Sequence, residues 1–163
     1  MLSEKCSLRS SMISGKGLFA DEHLAPGTVV AIWPVTKSHI VIEEQALERM
    51  GPVTPKALVT LCRIFGDFFV YHPDGKMEPE ERVNHSSSPN LLHFSGVLIT
   101  NRSVEPNEEL TLDYKYLCSS SVPEKIGDEL IVGMNRVDCI MKTLTELYEI
   151  VSKSSNSSRR TSS

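Results

Sequence analysis

The sequence predicts a mainly β domain of the α+β class, with several short sheets, an inserted helical segment and an amphipathic helix near its carboxyl end. Short, largely apolar runs at 29–33, 68–71 and 96–102 contain or are bounded by Pro, Gly, Asn or Asp, which is typical of buried strands. A run with 3.6-residue period follows near the end of the chain. Between two of the strands lies a polar, irregular phrase, and binding sites concentrate in such segments.

The composition indicates one folded domain of an ordinary kind. The 163 residues are 40% hydrophobic and carry a net charge of -4, which gives no hint of nucleic-acid binding and is weak evidence for a basic peptide partner. We see no secretory signal and no apolar stretch of about 18 residues, so we expect no membrane span and an intracellular location. Four scattered cysteines without a C-x-x-C pair favour reduced thiols.

Turn and cap residues suggest the domain boundaries. We expect a loose lead-in over 1–10, a central domain over 11–118, a helical segment over 119–151 and a disordered Ser/Arg tail over 152–163. Within the central domain, helices are predicted at 42–50 and 54–66, so that about 42–66 forms a helical insert. Thr54 and Pro55 suit the start of the second helix, and an apolar stripe follows it: Ala57, Leu58, Leu61, Ile64 and Phe65.

Two helices are predicted after residue 118. Ser121 and Glu124 fit a capping box for a short helix that ends near Ile131. Asn135 can cap the second helix, and its apolar residues share one face: Val137, Ile140, Met141, Leu144, Leu147, Tyr148 and Val151. This stripe must be buried against the rest of the domain or against a second copy of the chain.

Two phrases could bind a ligand. Gly15-Lys16-Gly17 allows a sharp turn and a close approach of the backbone, although from the residues alone a plain tight turn is the preferred interpretation. Asn84, His85 and Asn90 lie in the polar phrase, and side-chain amides can both donate and accept. A simple asparagine-containing loop is the alternative interpretation of the second phrase.

Two tyrosines offer a second kind of chemistry. On a strand, Tyr114 and Tyr116 would point to the same face and could line an aromatic slot for an alkylammonium group. The alternative is a strand that packs two half-buried rings. His72, His85 and His93 raise the question of a metal site, but no carboxylate stands at a suitable offset, and we assign no metal ligands.

These phrases, in this order, resemble those of the SET-domain protein lysine methyltransferases. Residues 15–19 are similar to the family's G-x-G motif, and residues 82–90 to its N-H-S-C-x-P-N phrase. Residues 99–111 match the strand and turn before the catalytic motif, which closes with Asp113-Tyr114. The resemblance covers about residues 10–117. It implies short sheets around a pseudoknot, with the segment at 42–65 as the family's variable insert.

The resemblance also implies an activity. S-adenosylmethionine would be the methyl donor, held by Gly15, Lys16, Gly17, Asn84 and His85 and also contacted by Tyr114. Tyr114 takes the place of the catalytic tyrosine, and Tyr116 that of an aromatic residue of the substrate lysine channel. The expected substrate is a lysine-bearing protein or peptide, with a histone tail as the family default, which places the protein in the nucleus or else in the cytoplasm.

Some positions depart from the family pattern. Ser87 replaces the usual cysteine, and the cysteine cluster that binds zinc after the D-Y motif in many members is missing. The segment from 122 to 151 would then have to cover the cofactor. Two alternatives remain open. One is an inactive SET-like module that binds a lysine-bearing peptide or a chromatin partner; the other is a metal-dependent enzyme built on the histidines.

Overall fold

A computed structural model of the protein describes residues 1–33, 39–42, 61–65, 68–71, 77–94, 96–118 and 123–160. Its side chains are described for residues 1–33, 77–94, 96–118, 123–135 and 137–153. In chain order, the strands are β1 Cys6–Ser10, β2 Lys16–Ala20, β3 Val29–Ile32, β4 His39–Ile42, β5 Leu61–Phe65, β6 Phe68–Tyr71, β7 Asn84–His85, β8 Leu91–Phe94, β9 Val97–Thr100, β10 Glu109–Leu112, β11 Glu124–Ile126 and β12 Glu129–Ile131. Short 3₁₀ helices cover Pro79–Glu81 and Tyr114–Tyr116, and helix α1 covers Arg136–Arg160.

The described strands form three sheets, which confirms the predicted mainly β class. The largest has seven strands in the order β1-β2-β10-β8-β9-β3, with β7 added beside β10. Strands β4, β6 and β5 form a three-stranded sheet, and β11 and β12 form a hairpin. The predicted strands at 29–33, 68–71 and 96–102 are confirmed as β3, β6 and β9.

Strand β10 brings the two polar phrases together. Its residues Glu109 and Leu110 pair antiparallel with β2, which begins at Lys16. Its last two residues, Thr111 and Leu112, pair parallel with Asn84 and His85 of β7. The Gly-Lys-Gly turn, the polar phrase and the tyrosine motif therefore meet around one strand, although they are far apart in sequence.

The core beneath this junction is aliphatic. Leu18, Leu91, Leu98, Leu110 and Leu112 are completely buried. They alternate with more exposed positions along β2 and β9, whereas β10 is buried over its last three residues. Burying side chains of this size contributes about 1.5–3 kcal/mol each, so the core holds the site-bearing strands in fixed register.

Two element predictions in the first half of the chain were wrong. The lead-in over 1–10 contains β1, which pairs with β2 along its full length from Cys6 to Ser10. Residues 61–65 were expected to end a helix, but they form β5. A short apolar run fits a strand as well as a helix, and here the pairing with β6 selects the strand. Residues 43–60 of the predicted insert lie outside the described part of the chain.

The short helix predicted to end near Ile131 is also wrong. The segment is the hairpin β11–β12, with Gly127 at φ +59° in its turn. A glycine followed by Asp128 suits a two-residue hairpin loop, because glycine adopts positive φ without strain. Ser121, half of the expected capping box, lies outside the described residues.

Helix α1 is confirmed, with a difference in its extent and its orientation. Asn135 caps it, accepting from the backbone N–H of Asp138 at 3.0 Å. The helix runs on to Arg160, where a disordered tail was predicted from residue 152, and residues 161–163 lie outside the described part. Most of the predicted apolar stripe faces solvent, whereas Cys139, Thr143 and Ile150 are buried. No described helix combines the length and the apolarity that crossing a bilayer requires.

Candidate active site

Two adjoining cavities lie where β2, β7 and β10 meet. The larger, of about 410 Å³, is bounded by the turn before β2, by β7, by Tyr114 and by the β11–β12 hairpin. The smaller, of about 220 Å³, is bounded by residues 14–16, 81–84 and Tyr114, together with Met77. Ser14, Asn84 and Tyr114 line both cavities, so the two form one continuous candidate site.

The two glycines of the turn act differently. Gly15 has φ +48°, a conformation that residues with a side chain rarely adopt, and the space around it is open. Gly17 is buried, and a Cβ there would lie 2.1 Å from Glu109 Oε1 and 3.0 Å from Asn84 Nδ2. The first glycine is therefore required by backbone conformation and the second by lack of space.

The side chain of Asn84 fastens this turn to the sheet. Four hydrogen-bond acceptors surround its Nδ2 atom: Glu109 Oε1 at 2.7 Å, Ser11 Oγ at 3.0 Å, and the carbonyl oxygens of Ser14 and Lys16 at 3.1 and 3.4 Å. The hydroxyl of Ser11 in turn donates to Glu109 Oε2 at 2.9 Å. An amide nitrogen carries only two hydrogens, so these four acceptors share two donors, and the contact with Glu109 is the shortest.

His85 has a defined tautomer. The backbone N–H of Tyr114 donates to His85 Nδ1 at 3.1 Å, so Nδ1 is an acceptor and the ring proton lies on Nε2. That proton points to Glu129 Oε2 at 3.1 Å, on the β11–β12 hairpin. The carbonyl oxygen of Leu112 lies 3.3 Å from Nδ1. Because both atoms are then acceptors, this contact is not a hydrogen bond. His85 thus connects the tyrosine motif to the hairpin that bounds the larger cavity.

Tyr114 presents a hydroxyl at the junction of the cavities. The hydroxyl donates to the carbonyl of Val83 at 2.6 Å, and the ring centroid lies 5.2 Å from that of His85. The hydroxyl hydrogen is used in this bond, which fixes the orientation of the hydroxyl group at the junction. The ring packs against the hydrophobic core, which fixes its position.

The structure does not support a strand through the two tyrosines. Residues Tyr114–Tyr116 form a 3₁₀ helix, because Asp113 Oδ1 caps it by accepting from the backbone N–H of Lys115 at 3.0 Å. Tyr116 is buried, and its hydroxyl donates to Glu146 Oε1 of α1 at 3.2 Å. Burial, followed by the Glu146 carboxylate, raises the pKa of the Tyr116 phenol. The ammonium nitrogen of Lys142 lies 5.3 Å from the centroid of the Tyr116 ring.

Asn90, the second amide of the polar phrase, supports the sheet and does not line the cavities described above. It is completely buried, donates to Glu108 Oε1 at 3.0 Å and to the carbonyl of Glu109 at 2.8 Å, and accepts from the backbone N–H of Thr111 at 2.8 Å. Burial works against ionisation of Glu108, but bonds from Arg102, Glu105 N–H and Asn90 outweigh it and lower its pKa.

The histidines that were weighed and not assigned as metal ligands have other roles. His93 is buried, and its ring centroid lies 4.7 Å from that of Trp33. Its Nε2 accepts from the backbone N–H of Gly96 at 3.0 Å. Burial lowers the pKa of His93 to about 4. His72 lies outside the described residues. Within the described part of the chain, no three His, Cys, Asp or Glu side chains are grouped as a metal site.

The sequence predictions for the site can now be placed. The structure brings Gly15, Lys16, Asn84, His85 and Tyr114 to the cavities, and Gly17 packs directly behind them. Tyr116 lies instead against α1. Three participants were missed: Ser11, Glu109 and Glu129. Of these, only Glu109 carried a signal in the sequence, as part of the phrase that precedes the tyrosine motif.

Comparison with known proteins agrees with this geometry. Residues 15–115 match the SET domain family, and this range includes the turn, the polar phrase and Tyr114. A solved structure of an active polycomb repressive complex 2 in the basal state superposes with a TM-score of 0.50 at 18% identity. The match covers 67% of this chain and 15% of that one, and at this identity it shows a shared fold. No curated protein matches the sequence.

The family match covers well over half of the chain and includes all the cavity-lining residues except Ile13, Ser14 and those of the hairpin. The strand-rich architecture with short sheets and one described helix agrees with it. The protein belongs to the SET domain family, whose members are generally lysine methyltransferases.

Proposed function

We propose that the protein is an S-adenosylmethionine-dependent protein-lysine N-methyltransferase. The observation that carries the proposal is the convergence of three distant segments on one pair of cavities. The Gly-Lys-Gly turn, the Asn84-His85 pair and Tyr114 all meet there, around β10. Membership of the SET family supports the same activity.

The residues present fit the expected cofactor. Cavities of about 410 and 220 Å³ fall in or near the usual range of about 300–1,000 Å³ for small-molecule sites. Gly17 keeps the backbone open where a Cβ would strike Glu109. In the proposal, the backbone at Gly15, Lys16 and Gly17 and the residues Asn84 and His85 hold the cofactor, and Tyr114 contacts it from the other side.

When bound, S-adenosylmethionine supplies an electrophilic methyl group on a positively charged sulfur. The chain itself would orient the attacking amine. In the proposal, the hydroxyl oxygen of Tyr114 and the carbonyl oxygen of Val83, which are hydrogen-bonded to each other at 2.6 Å, face the amine and accept from its N–H groups. Fixing both the amine and the acceptor oxygens in this way lowers the entropic cost of reaching the transition state.

Tyr116 stays in the proposal as a residue of the lysine channel. The ammonium of Lys142 lies 5.3 Å from the ring centroid, which supports the idea that this face can bind an alkylammonium group. The channel would then have α1 as one wall, since the hydroxyl of Tyr116 is bound to Glu146.

We propose a histone tail as the substrate and the nucleus as the location. The net charge of -4 favours a basic peptide, and the fold is shared with a protein of the polycomb repressive complex 2 structure. Its partners would be a lysine-bearing protein or peptide and a second copy of the chain. This chain spans only 15% of the length of that neighbour, so further segments could contribute to substrate choice in either protein.

Methyl transfer from radiolabelled S-adenosylmethionine to core histones and to histone-tail peptides tests the proposal. Label should enter a lysine-bearing peptide and not the same peptide with that lysine replaced by arginine. Transfer by the wild-type protein, strongly reduced in Tyr114→Phe, is the expected result. A well-folded protein that binds such peptides without transferring label would favour the inactive-module alternative.

A further inference from the structure

The apolar residues of α1 divide into two faces. Cys139, Thr143 and Ile150 are buried against the domain. About a third of a turn away lies a second set, which we name the α1 stripe: Val137, Ile140, Met141, Leu144, Tyr148 and Val151. These six side chains are 39–74% exposed. A contiguous apolar stripe of this length on the surface usually marks an interaction site.

Apolar residues lie at the same spacing in both directions from Leu144. Val137 and Val151 each lie seven residues from it, and Ile140 and Tyr148 each lie four residues away. Met141 has its counterpart in Leu147, which is partly buried at the edge of the stripe. A twofold axis at Leu144 would place each of these residues opposite its counterpart on an antiparallel partner helix, so that apolar residues face apolar residues along the stripe.

The area is also of the right size. Full burial of one large aliphatic side chain removes on the order of 100 Å² from water, so the partly exposed stripe offers on the order of 400 Å² per copy. Two copies would bury about 800 Å² of apolar surface, and the polar rim would bring the total close to the lower limit of about 1,200 Å² for specific interfaces. No charged residue interrupts the stripe: the helix charges at Asp138, Lys142, Glu146 and Glu149 lie on other positions.

We propose that the protein forms a twofold symmetric dimer through antiparallel pairing of α1 helices, with Leu144 on the axis. Val137 of each copy then packs against Val151 of the other, and Ile140 against Tyr148. The dimer is independent of methyl transfer, because the stripe lies on the side of α1 away from the face that packs on the domain. Tyr116 and Glu146, bonded on that inner face, stay within one copy.

Sedimentation equilibrium of the full chain tests the dimer directly. We expect a reversible monomer–dimer equilibrium for the wild type. Leu144→Glu and Leu144→Lys should each weaken it at least a hundredfold, because each places two like charges together on the axis. A mixture of the two variants should regain dimer, since Glu then faces Lys. Met12→Glu, at a fully exposed position elsewhere, is the matched control and should dimerise like the wild type.

A second pair of variants tests the antiparallel register. Val137→Glu mixed with Val151→Lys should form a mixed dimer more tightly than either variant alone, because antiparallel helices place these positions opposite each other. In a parallel pair they would not meet. Circular dichroism establishes that each variant is folded.

A wild-type protein that remains monomeric at submillimolar concentration would overturn the proposal and leave the stripe to a different protein partner. A dimer that survives Leu144→Glu would overturn it too, because the contact would then lie on another surface. A dimer disrupted at Leu144 without recovery in the Val137/Val151 mixture would contradict the antiparallel register.

Discussion

The imidazole of His85 accepts the backbone N–H of Tyr114 at 3.1 Å, so one ring nitrogen is committed to the start of the tyrosine motif. The opposite nitrogen reaches Glu129 on the β11–β12 hairpin, also at 3.1 Å. A single side chain therefore connects the proposed catalytic residue to the element that bounds the larger cavity. The hairpin belongs to the segment 122–151, which we expected to cover the proposed cofactor in the absence of a cysteine-rich segment.

The tautomer of His85 is the first prediction. We expect the neutral ring to carry its proton on Nε2, because Nδ1 must accept from Tyr114. Two-bond nitrogen–carbon-bound-proton correlations in the NMR spectrum distinguish the two tautomers. Glu129→Gln should keep this tautomer, since a glutamine oxygen can still accept. A ring protonated on Nδ1 would contradict the arrangement.

Tyr114→Phe should lower turnover on the order of a hundredfold while leaving cofactor affinity nearly intact. The change removes the hydroxyl that would orient the amine but keeps the ring against the core, and losing one well-placed catalytic hydrogen-bonding group has an effect of about this size. Steady-state kinetics and calorimetry give the two quantities separately. Unchanged turnover would remove Tyr114 from the catalytic role.

The two glycines should respond differently to alanine. Gly15→Ala should cost about 1–2 kcal/mol through left-handed strain alone, because nothing lies near its Cβ. Gly17→Ala should disrupt the turn more severely, because the methyl group would meet Glu109 and Asn84. Chemical denaturation measures both effects.

A double variant isolates the steric cause. Gly17→Ala combined with Glu109→Ala should regain part of the lost stability, since the clashing carboxylate is then gone. Gly15→Ala combined with Glu109→Ala should show no such recovery. Additive losses in both pairs would show that the contact between Gly17 and Glu109 is not the cause.

His93 should make stability depend on pH. Its folded-state pKa of about 4 lies below the usual value near 6.5, so the unfolded chain binds a proton in this window and the folded chain does not. Stability should therefore fall as the pH decreases from about 6.5 to 4, by about 3 kcal/mol in total, and this contribution should be constant outside the window. Denaturation of His93→Gln across this range should show a flatter profile; an equal slope in both proteins would assign the effect to other groups.

The sequence predicted the parts of this fold whose signals are local. Strands β3, β6 and β9 and the cap at Asn135 follow from short apolar runs and from one asparagine. Prediction from sequence failed where pairing with another strand determines the secondary structure. Strand β1 has no strong strand pattern, and the pattern of β5 fits a helix as well as a strand. The sequence also left open what covers the apolar stripe of α1, because periodicity identifies an apolar face without saying what packs on it.

The predictions for the candidate site can be divided in the same way. Gly15, Gly17, Asn84, His85 and Tyr114 could be named from motifs, because each lies in a phrase of recognisable composition. Glu129 could not, because its role depends on a hairpin that the capping pattern concealed. The orientation of Tyr116 was missed because Asp113 caps a 3₁₀ helix in place of a continuing strand.

Calorimetric titration with S-adenosylmethionine tests the central claim most directly. The account predicts saturable one-to-one binding to the wild type, retained in Tyr114→Phe and strongly weakened in Asn84→Ala, which removes the amide that fastens the turn to Glu109. The dimerisation variant Leu144→Glu should bind like the wild type, since it lies outside the site. Absence of binding to the folded protein, with and without a histone peptide, would contradict the assignment of this site to a methyltransferase.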